Sequence, residues 1–252
     1  MLNICSKSIQ LWLVHEKDIL DQHLLDHYHG LLDERELRRY DRLRLVRDKK
    51  QFLITQVLAR TVLASLIGEH DPSAIRFERN PYGKPFLPKS NQPRFNLTNS
   101  NGLVVLAVTA DVEVGIDVEY TMRKAACLQL ARRYFAEDEA ATFVKLEEAA
   151  LRDRFFDYWT LKEAWLKAYG TGLRTPLNHF GFTLSEKVEI SFTPNLRASP
   201  DEWTFWQFDI QEAFRLSVCV NDKPDSHYTI SAVEGIPGQG FSPIELVQRR
   251  PA

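Results

Sequence analysis

The segment from Arg154 to Gly170, RFFDYWTLKEAWLKAYG, predicts an α-helix buried on most of its circumference, and no other segment constrains the fold as strongly. Residues that recur every three or four positions lie on one side of a helix. Two such lines are apolar: Phe156, Trp159 and Leu166 form one, and Tyr158, Leu161, Trp165 and Ala168 form the other. A helix with two apolar lines must be covered by neighbouring elements, so the chain has to build a substantial core around it.

A carboxylate interrupts the first of these lines. Glu163 occupies the position between Trp159 and Leu166 that would continue the apolar stripe. Burying an isolated carboxylate is costly, so such a group is normally protonated, paired with a cation or bound to a metal. Lys167, one turn further on, offers the simpler alternative of an i,i+4 ion pair worth roughly 0.2–0.5 kcal/mol. The pattern alone leaves a metal or catalytic role and this ion pair equally open.

Two more carboxylates lie on a predicted strand, VEVGIDVEY at residues 112–120. Its even positions are apolar, whereas Asp117 and Glu119 occupy odd positions and therefore project from one face, about 6–7 Å apart at their Cβ atoms. That separation allows one hard cation such as Mg²⁺ to accept an oxygen from each. The alternative is the polar face of a half-solvated strand. Gly115 has no side chain, and we expect it to let a ligand come close to the carboxylates.

Two further segments carry groups that can bind phosphate. Residues 80–85, NPYGKP, hold Lys84 between a glycine and a proline, where its ammonium can meet an anion, although an ordinary turn explains the same pattern. Residues 95–100, FNLTNS, end in hydroxyl and amide side chains that either ligate phosphate or cap a turn. The basic run at residues 35–50 is most simply a solvated helix face.

The distribution of helical and extended segments predicts an α+β protein. Residues 31–67 read as one or two helices, and Asn101-Gly102 between β-branched runs predicts a hairpin. The strand LVVLAVTAD has a faint echo in FRLSVCVND near the end of the chain, which an internal duplication would explain. We expect an N-terminal half at 1–112, a C-terminal half at 113–235 and a loose Pro/Gly-rich tail at 236–252.

Composition and charge exclude several classes of protein. Hydrophobic residues make up 44% and charged residues 26% of the chain, as in an ordinary folded protein. A formal net charge of -2 gives no global field that would attract nucleic acid. The sequence contains no apolar run of 18 residues, so no membrane-spanning helix is predicted. The three cysteines show no zinc or disulfide spacing, and the first residues lack a signal-peptide core. We expect a cytoplasmic protein without nucleic-acid or membrane partners.

Taken together and in order, these segments resemble the 4'-phosphopantetheinyl transferase superfamily, and specifically its larger Sfp-like class. GIDVE at 115–119 and WTLKEAWLK at 159–167 are similar to the two signature motifs of the family. YGKPFL at 82–87 and FNLTNS at 95–100 match two further blocks, in the same order. The resemblance covers residues 40–185 and is only loose outside them.

The resemblance implies a holo-[acyl-carrier-protein] synthase. Such an enzyme moves 4'-phosphopantetheine from coenzyme A to a serine of an apo acyl or peptidyl carrier protein, needs Mg²⁺ and releases adenosine 3',5'-bisphosphate. The implied fold is a monomeric pseudo-dimer of two similar α+β halves, with coenzyme A binding assigned to the first half, metal and catalysis to the second, and the active site in the cleft between them.

The resemblance also implies roles for single residues. Asp117, Glu119 and Glu163 are the implied Mg²⁺ ligands, Lys167 stabilises the leaving phosphate, and we hypothesise that Glu163 is also the base that takes the serine proton. The implied coenzyme A contacts are Arg44, Arg47, Arg60, Tyr82, Gly83, Lys84, Pro85, Thr98, Asn99 and Lys167. The carrier is expected to contact the apolar residues Leu173, Leu177, Phe180 and Phe182.

Departures and alternatives remain. Where many relatives have Ser-His-Ser, this chain has Thr98-Asn99-Ser100, so an amide replaces a possible cation and coenzyme A binding should weaken selectively at low pH.

Two other functions compete with the transferase hypothesis. One is that of a non-catalytic relative that binds carrier protein or nucleotide, and the other is that of another Mg²⁺-dependent phosphotransferase, although GxxxxGK[ST] is absent. The group His23, His27 and His29 has a spacing that could hold zinc, but no Cys partner or HExxH accompanies it. The sequence does not identify the carrier's pathway.

Overall fold

The structure is a computed structural model that describes residues 4–89, 92–224 and 226–249, with the backbone but not the side chain of Leu173. Its contacts divide the chain into two compact units. Unit 1 comprises Met1–Arg79, Pro85–Asp111 and Tyr228–Glu245, and unit 2 comprises Asn80–Lys84, Val112–His227 and Leu246–Ala252. Both units contain helices and strands, which confirms the predicted α+β class. Within the described ranges, no helix is long and apolar enough to cross a membrane.

Helices and strands are numbered along the chain. The helices are α1 (Gln22–Gly30), α2 (Glu34–Arg42), α3 (Val46–Ile67), α4 (Cys127–Tyr134), α5 (Glu137–Thr142) and α6 (Glu148–Tyr169). The strands are β1 (Ser8–His15), β2 (Glu78–Arg79), β3 (Pro85–Phe86), β4 (Arg94–Ser100), β5 (Leu103–Thr109), β6 (Val114–Tyr120), β7 (Phe180–Leu184), β8 (Val188–Phe192), β9 (Thr204–Ile210), β10 (Phe214–Val220), β11 (Thr229–Ile236), β12 (Gly240–Ile244) and β13 (Val247–Gln248).

Unit 1 forms its core between α3 and a five-stranded sheet. The strand order is β12-β11-β1-β5-β4, in which β1 runs parallel to β11 and antiparallel to β5. Leu53, Val57 and Leu58 on α3 are buried in this core. The predicted hairpin is confirmed: β4 pairs with β5, and Asn101 and Gly102 both adopt the positive φ that a tight two-residue turn requires.

Unit 2 forms its core around α6, the helix that the apolar lines predict. This helix packs against a four-stranded sheet with the order β13-β9-β10-β6. Phe156, Leu161 and Trp165 are completely buried, which confirms the prediction of a covered helix. The Trp165 ring meets four other aromatic rings, those of Tyr169, Phe180, Phe192 and Trp203. Gly170, at φ 81°, ends the helix in the left-handed conformation that glycine adopts most readily.

The structure corrects the expectation of a loose tail from residue 236. β11 pairs with β1, and β12 pairs with β11 through a tight hairpin. The Tyr28 hydroxyl donates a hydrogen bond to the carbonyl oxygen of Pro237 at 2.6 Å. Glycine is needed here for close strand contact, since a Cβ atom at Gly235 would lie 2.1 Å from the carbonyl oxygen of Gly240. The Pro/Gly content that suggested a loop therefore belongs to a hairpin of unit 1.

The units also divide the chain differently from the expected halves. The chain passes between units at residues 111 and 112, next to the expected boundary, but residues 228–245 belong to unit 1 and residues 80–84 to unit 2. The short segment is held in unit 2 by the Asn80 side chain, which donates to the carbonyl oxygen of Gly170 at 2.8 Å. Strand pairing and such long-range hydrogen bonds leave no trace in local composition.

Candidate active site

The candidate site lies where β6 packs against α6, and Gly115 makes this close approach possible. A Cβ atom on Gly115 would lie 2.0 Å from the carbonyl oxygen of Ala164 and 2.4 Å from the amide nitrogen of Ala168. The absence of a side chain at Gly115 was expected to leave room for a ligand, whereas it leaves room for α6. The odd-numbered face of β6 is consequently covered by α6, and the alternative of a half-solvated polar face does not apply to Asp117.

Asp117 and Lys167 meet in this seam. Asp117 is 7% exposed, and its Oδ1 accepts a hydrogen bond from Lys167 Nζ at 2.7 Å. The same ammonium donates to the carbonyl oxygen of Ile116 at 3.0 Å. Charge-assisted bonds of this length in a partly buried position are stronger than neutral ones. The fold therefore joins two of the predicted site residues from distant parts of the chain.

Glu163 and Glu119 complete the group. Burial raises the pKa of Glu163 to about 7; the charges of Asp117 and, more weakly, Glu119 add to the increase, whereas the Lys167 ammonium opposes it. Charges perturb a pKa in this way over short distances, so the three predicted metal ligands lie in one neighbourhood. A carboxyl that titrates near neutrality is suited to accept or donate a proton in a reaction.

Glu119 also interacts with a cation that the sequence analysis did not single out. Arg123 Nη2 lies 3.0 Å from Glu119 Oε1, and the Arg123 guanidinium lies 5.3 Å from the centre of the Phe156 ring. The side chains of Glu119 and Arg123 are 18% and 41% exposed. The sequence did not reveal this ion pair, because the turn that follows β6 has no regular period from which a contact between residues four positions apart could be inferred.

Across residues 4–89, 92–224 and 226–249, no group of three or more His, Cys, Asp or Glu side chains has an arrangement that could hold a metal ion. The zinc hypothesis for His23, His27 and His29 therefore gains no support. The chemistry of the carboxylate group nevertheless fits one kind of ion. Its donors are all carboxylate oxygens, which hard cations such as Mg²⁺ prefer.

A buried ion pair next to Glu163 escaped the sequence analysis. Lys162 is completely buried, with Nζ 2.7 Å from Glu139 Oε2 and hydrogen bonds to the carbonyl oxygens of Leu177 and Phe180 at 2.8 and 2.6 Å. Burial lowers the pKa of Lys162 to about 8, while the Glu139 charge opposes that shift. Glu139 also accepts from the backbone N–H of Phe182 at 2.7 Å. The signal was available, since Lys162, like Glu163, is a charged residue within a largely apolar helix surface.

A polar network lies beside the carboxylates on the sheet of unit 2. Ser217 on β10 stands opposite Asp117 in the pairing with β6. Its hydroxyl lies 2.7 Å from the Thr160 hydroxyl, and Gln207 Nε2 donates to it at 3.0 Å. Ser217, Thr160 and Gln207 are at most 2% exposed. Buried hydrogen bonds of this kind between side chains of the sheet and of α6 hold the two in one register.

In unit 1, a pocket of about 300 Å³ contains only part of the predicted coenzyme A set. Asn99 and Pro85 line it. Thr98 is 4% exposed and lies on the opposite face of β4, because neighbouring strand residues point to opposite sides. Arg39 and Arg79, which were not among the predicted contacts, also line the pocket. Burial lowers the pKa of Arg79, and the nearby Arg39 charge lowers it further.

The structure does not support a nucleotide-binding role for Arg60. Its side chain is completely buried and donates to Glu36 Oε2 at 2.7 Å and to Asp33 Oδ2 at 3.2 Å. These two carboxylates also cap the start of α2, so Arg60 ties that helix to α3. Arg44 and Arg47 are exposed, and their role in coenzyme A binding stays a prediction.

The predicted phosphate-binding loop at 80–85 forms a turn whose lysine contacts other parts of unit 2. Lys84 Nζ lies 2.6 Å from Glu113 Oε2 and donates to the carbonyl oxygen of Ala168 at 3.0 Å. Tyr82 is 49% exposed, and Gly83 has a φ of 95°, which an L side chain rarely adopts. The coenzyme A contacts assigned to this loop stay predictions.

The structure does not support the predicted carrier contacts. Leu177, Phe180 and Phe182 are 7%, 1% and 4% exposed and belong to the core of unit 2. The side chain of Leu173 lies outside the described residues. A side chain in a packed core cannot meet a partner without local unfolding. Apolar residues after a helix are typical of a core as well as of an interface, and the sequence offered no means of separating the two.

A different surface of unit 2 is open and basic. A pocket of about 430 Å³ lies beside α4 and is lined by Arg123, Lys124 and Arg152, with Glu148 as an acidic member. Its apolar lining consists of Ala125, Ala126, Leu128 and Leu151, with Cys127 and Gln129 completing the wall. Met122, which immediately precedes these residues, is 56% exposed.

Comparisons with known proteins agree with the resemblance seen in the sequence. The family model 4'-phosphopantetheinyl transferase superfamily matches residues 113–219, and the model 4'-phosphopantetheinyl transferase, N-terminal, matches residues 21–111. The 4'-phosphopantetheinyl transferase HetI of Nostoc sp. is 30% identical over 77% of this chain and 78% of its own length. The 4'-phosphopantetheinyl transferase Sfp of Bacillus subtilis is 29% identical over 68% of this chain and 74% of its own.

The chain also matches solved structures. The crystal structure of Thermotoga maritima holo-[acyl-carrier-protein] synthase matches 54% of this chain and 85% of that chain, with a TM-score of 0.36 and 21% identity. The two family models together cover most of the chain, and HetI matches across more than two thirds of its own length. The chain belongs to the 4'-phosphopantetheinyl transferase superfamily.

Proposed function

We propose that this protein transfers 4'-phosphopantetheine from coenzyme A to a serine of an apo acyl or peptidyl carrier protein, with Mg²⁺ as cofactor and adenosine 3',5'-bisphosphate as second product. The observation that carries the proposal is the group of Asp117, Glu119, Glu163 and Lys167 formed by β6 and α6. Such a group suits the handling of a phosphate. Sfp and HetI, both named 4'-phosphopantetheinyl transferases, support the same activity.

Mg²⁺ is the cofactor that suits these side chains. In the proposal, Asp117, Glu119 and Glu163 supply oxygen ligands to the cation. When bound, Mg²⁺ neutralises and orients the pyrophosphate of coenzyme A. The mutual repulsion of the three carboxylates, which contributes to the raised pKa of Glu163, is a reason for this group to accept a divalent cation.

Glu163 is the proposed base. The serine oxygen forms a bond to the β-phosphorus while the bond from that phosphorus to the leaving phosphate oxygen breaks, and the serine proton passes to Glu163, directly or through water. In the protein without metal, burial raises the pKa of Glu163 to about 7, which is suited to a group that accepts a proton at neutral pH. Lys167, on the next turn of α6, places an ammonium in the same group, and we assign it the stabilisation of the departing negative charge.

The arginine-lined pocket of unit 1 is the proposed position of a phosphate-bearing part of coenzyme A. Arg39 and Arg79 both line it, and two guanidinium groups close enough to perturb each other favour an anion between or beside them. Asn99 contributes a neutral donor to the same wall. Arg39→Gln should raise the KM for coenzyme A without changing the KM for the carrier, and unchanged kinetics would remove Arg39 from this role.

The basic pocket beside α4 is the proposed docking surface for the carrier protein. Carrier proteins tend to present acidic and apolar helix surface, which complements a pocket with basic and apolar walls. The ion pair between Arg123 and Glu119 brings this surface next to the carboxylates, as delivery of a serine requires. The buried residues Leu177, Phe180 and Phe182 are not part of this proposal.

Mass spectrometry of candidate carriers tests the activity. The protein is incubated with coenzyme A, Mg²⁺ and a panel of purified apo acyl and peptidyl carrier proteins, and each carrier is weighed. We expect at least one carrier to gain the mass of 4'-phosphopantetheine, and Asp117→Asn to abolish the gain. If Asp117→Asn retains near-wild-type turnover, the assignment of Asp117 is wrong.

The same assay separates the rivals. A regulator without catalytic activity would bind a carrier or coenzyme A but leave every carrier unmodified, and a different phosphotransferase would add another mass. Which carrier reacts fastest identifies the pathway served. Monomeric and cytoplasmic states are part of the proposal, and size-exclusion chromatography with light scattering tests the former.

A further inference from the structure

Arg123 belongs to two sites at once. Its guanidinium lies 3.0 Å from Glu119, a proposed Mg²⁺ ligand, and the same side chain lines the basic pocket beside α4 together with Lys124 and Arg152. The Arg123 side chain therefore lines the pocket and also neutralises the charge of one proposed metal ligand, Glu119. A group that binds in the pocket and attracts Arg123 acts directly on the electrostatics of Glu119.

We propose that Arg123 couples carrier docking to metal binding: without a carrier it pairs with Glu119, and an acidic side chain of a docked carrier draws it into the pocket, which leaves Glu119 to the cation. This inference rests on the proposed function and names a positioning residue within it. The occupant to which it commits is a carboxylate of the carrier, since Arg123, Lys124 and Arg152 outnumber Glu148 as the charged residues of the pocket.

The exchange requires only a small change in free energy. The Arg123 side chain is 41% exposed, and exposed ion pairs contribute little because water competes for both groups. A carrier carboxylate is thus an equivalent partner for the guanidinium. The Arg123 guanidinium also lies 5.3 Å from the centre of the Phe156 ring, so its ion pair with Glu119 is not the sole contact that positions it.

Lys167 is the natural contrast. It bonds Asp117 within the seam between β6 and α6, its side chain is 28% exposed, and it does not line the basic pocket. Of these two cations that hold the proposed metal ligands, only Arg123 belongs to that pocket, so carrier binding there should affect Glu119 and leave Asp117 unchanged.

Mn²⁺ binding, measured by the electron paramagnetic resonance of the free ion, tests the coupling without any turnover. The full-length protein is titrated without coenzyme A, in the presence or absence of the apo carrier that reacts fastest in the transfer assay. We expect the carrier to tighten Mn²⁺ binding by about two- to fivefold, the range that an exposed ion pair can supply. Arg123→Gln should bind Mn²⁺ more tightly from the start and show no further effect of the carrier.

Arg132→Gln is the matched control, because it removes one positive charge from the exposed surface of α4 without removing the partner of Glu119. It should retain the effect of the carrier on Mn²⁺ affinity. If Arg123→Gln also retains that effect, or Arg132→Gln loses it equally, the inference is overturned. A wild-type protein that neither modifies carriers nor binds Mn²⁺ would instead refute the proposed function, so the two failures are distinguishable.

Discussion

At the scale of single residues, the properties of the site depend on charged side chains that are buried away from water. Glu163 lies in an apolar helix line next to two other carboxylates, and its ionisation is opposed by burial first and by like charge second. Lys162, its neighbour, is even more buried but has a partner, Glu139, and two carbonyl acceptors. The charged form of Glu163 is therefore unfavourable, which makes this carboxyl available for proton transfer. Lys162, in contrast, is held in place by its ion pair and hydrogen bonds.

The raised pKa of Glu163 predicts a pH-dependent stability. Between about pH 4.5 and pH 7 the folded chain binds more protons at Glu163 than the unfolded chain, so the free energy of unfolding falls as the pH rises and the full penalty is present above pH 7. Without metal, Glu163→Gln should be more stable than wild type by roughly 1–3 kcal/mol at pH 8 and nearly equal at pH 4.5. Urea denaturation in EDTA measures the difference, with the exposed Glu186→Gln as control. A difference that does not vary with pH would contradict the prediction.

The buried pair of Lys162 and Glu139 makes a second prediction. Lys162→Met removes the cation and leaves a buried carboxylate, so unfolding free energy should fall by about 3–5 kcal/mol. In the double variant with Glu139→Gln, the loss should be smaller than the sum of the two single losses, because no uncompensated charge remains. Guanidinium denaturation of all four proteins measures the coupling. If the losses of unfolding free energy are additive, the ion pair contributes no coupling energy, and each of the two side chains stabilises the fold only through its own packing.

At the scale of elements, the seam between β6 and α6 sets the geometry of the site. The strand contributes Asp117 and Glu119, the helix contributes Glu163 and Lys167, and Gly115 allows the two backbones to come into contact. Any side chain at 115 would push the helix from the strand. Stability and site geometry therefore depend on the same missing side chain.

Gly115→Ala tests the seam. The added methyl group meets backbone atoms rather than flexible side chains, so we expect a loss of several kcal/mol of stability, on the order of 3 kcal/mol, or failure to accumulate folded protein. The matched control is Gly30→Ala at the end of α1, where nothing lies within 4 Å of the added atom and the effect should stay within about 1 kcal/mol. Thermal unfolding compares them. Equal effects at the two positions would show that β6 and α6 can separate freely.

At the scale of the whole molecule, the two units are interleaved along the chain. Unit 1 takes its first strands from the N-terminal part and β11 and β12 from residues 228–245, and unit 2 uses the chain end again for β13. Arg249, just after β13, pairs with Asp153, Asp157 and Asp209 and so secures the segment of β13 to the rest of unit 2. A cut at the expected half boundary therefore does not yield a complete unit.

A fragment of residues 1–112 should not fold, because β1 would lose its partner β11 and expose an unpaired, apolar edge. Thr109 and Ile230 both pair with Ile9, from opposite sides, so they are about 10 Å apart. Joining residue 112 to residues 228–245 through a short Gly/Ser linker should restore a cooperative unfolding transition. Circular dichroism during heating measures it, and a cooperative transition in the 1–112 fragment itself would contradict the interleaving.

The sequence by itself determined the local features of this protein: the buried helix α6, the Asn101-Gly102 hairpin, and the residues Asp117, Glu119 and Glu163 as carboxylates in positions that need an explanation. These follow from periodicity and turn chemistry, which act over a few residues. Only the tertiary structure decided which charges are partnered. Arg60 is a buried link between α2 and α3, and Leu177 and Phe180 belong to the core, because burial depends on neighbours that are distant in sequence. Arg123 is the partner of Glu119 because of the turn after β6, whose conformation has no periodic pattern in the sequence.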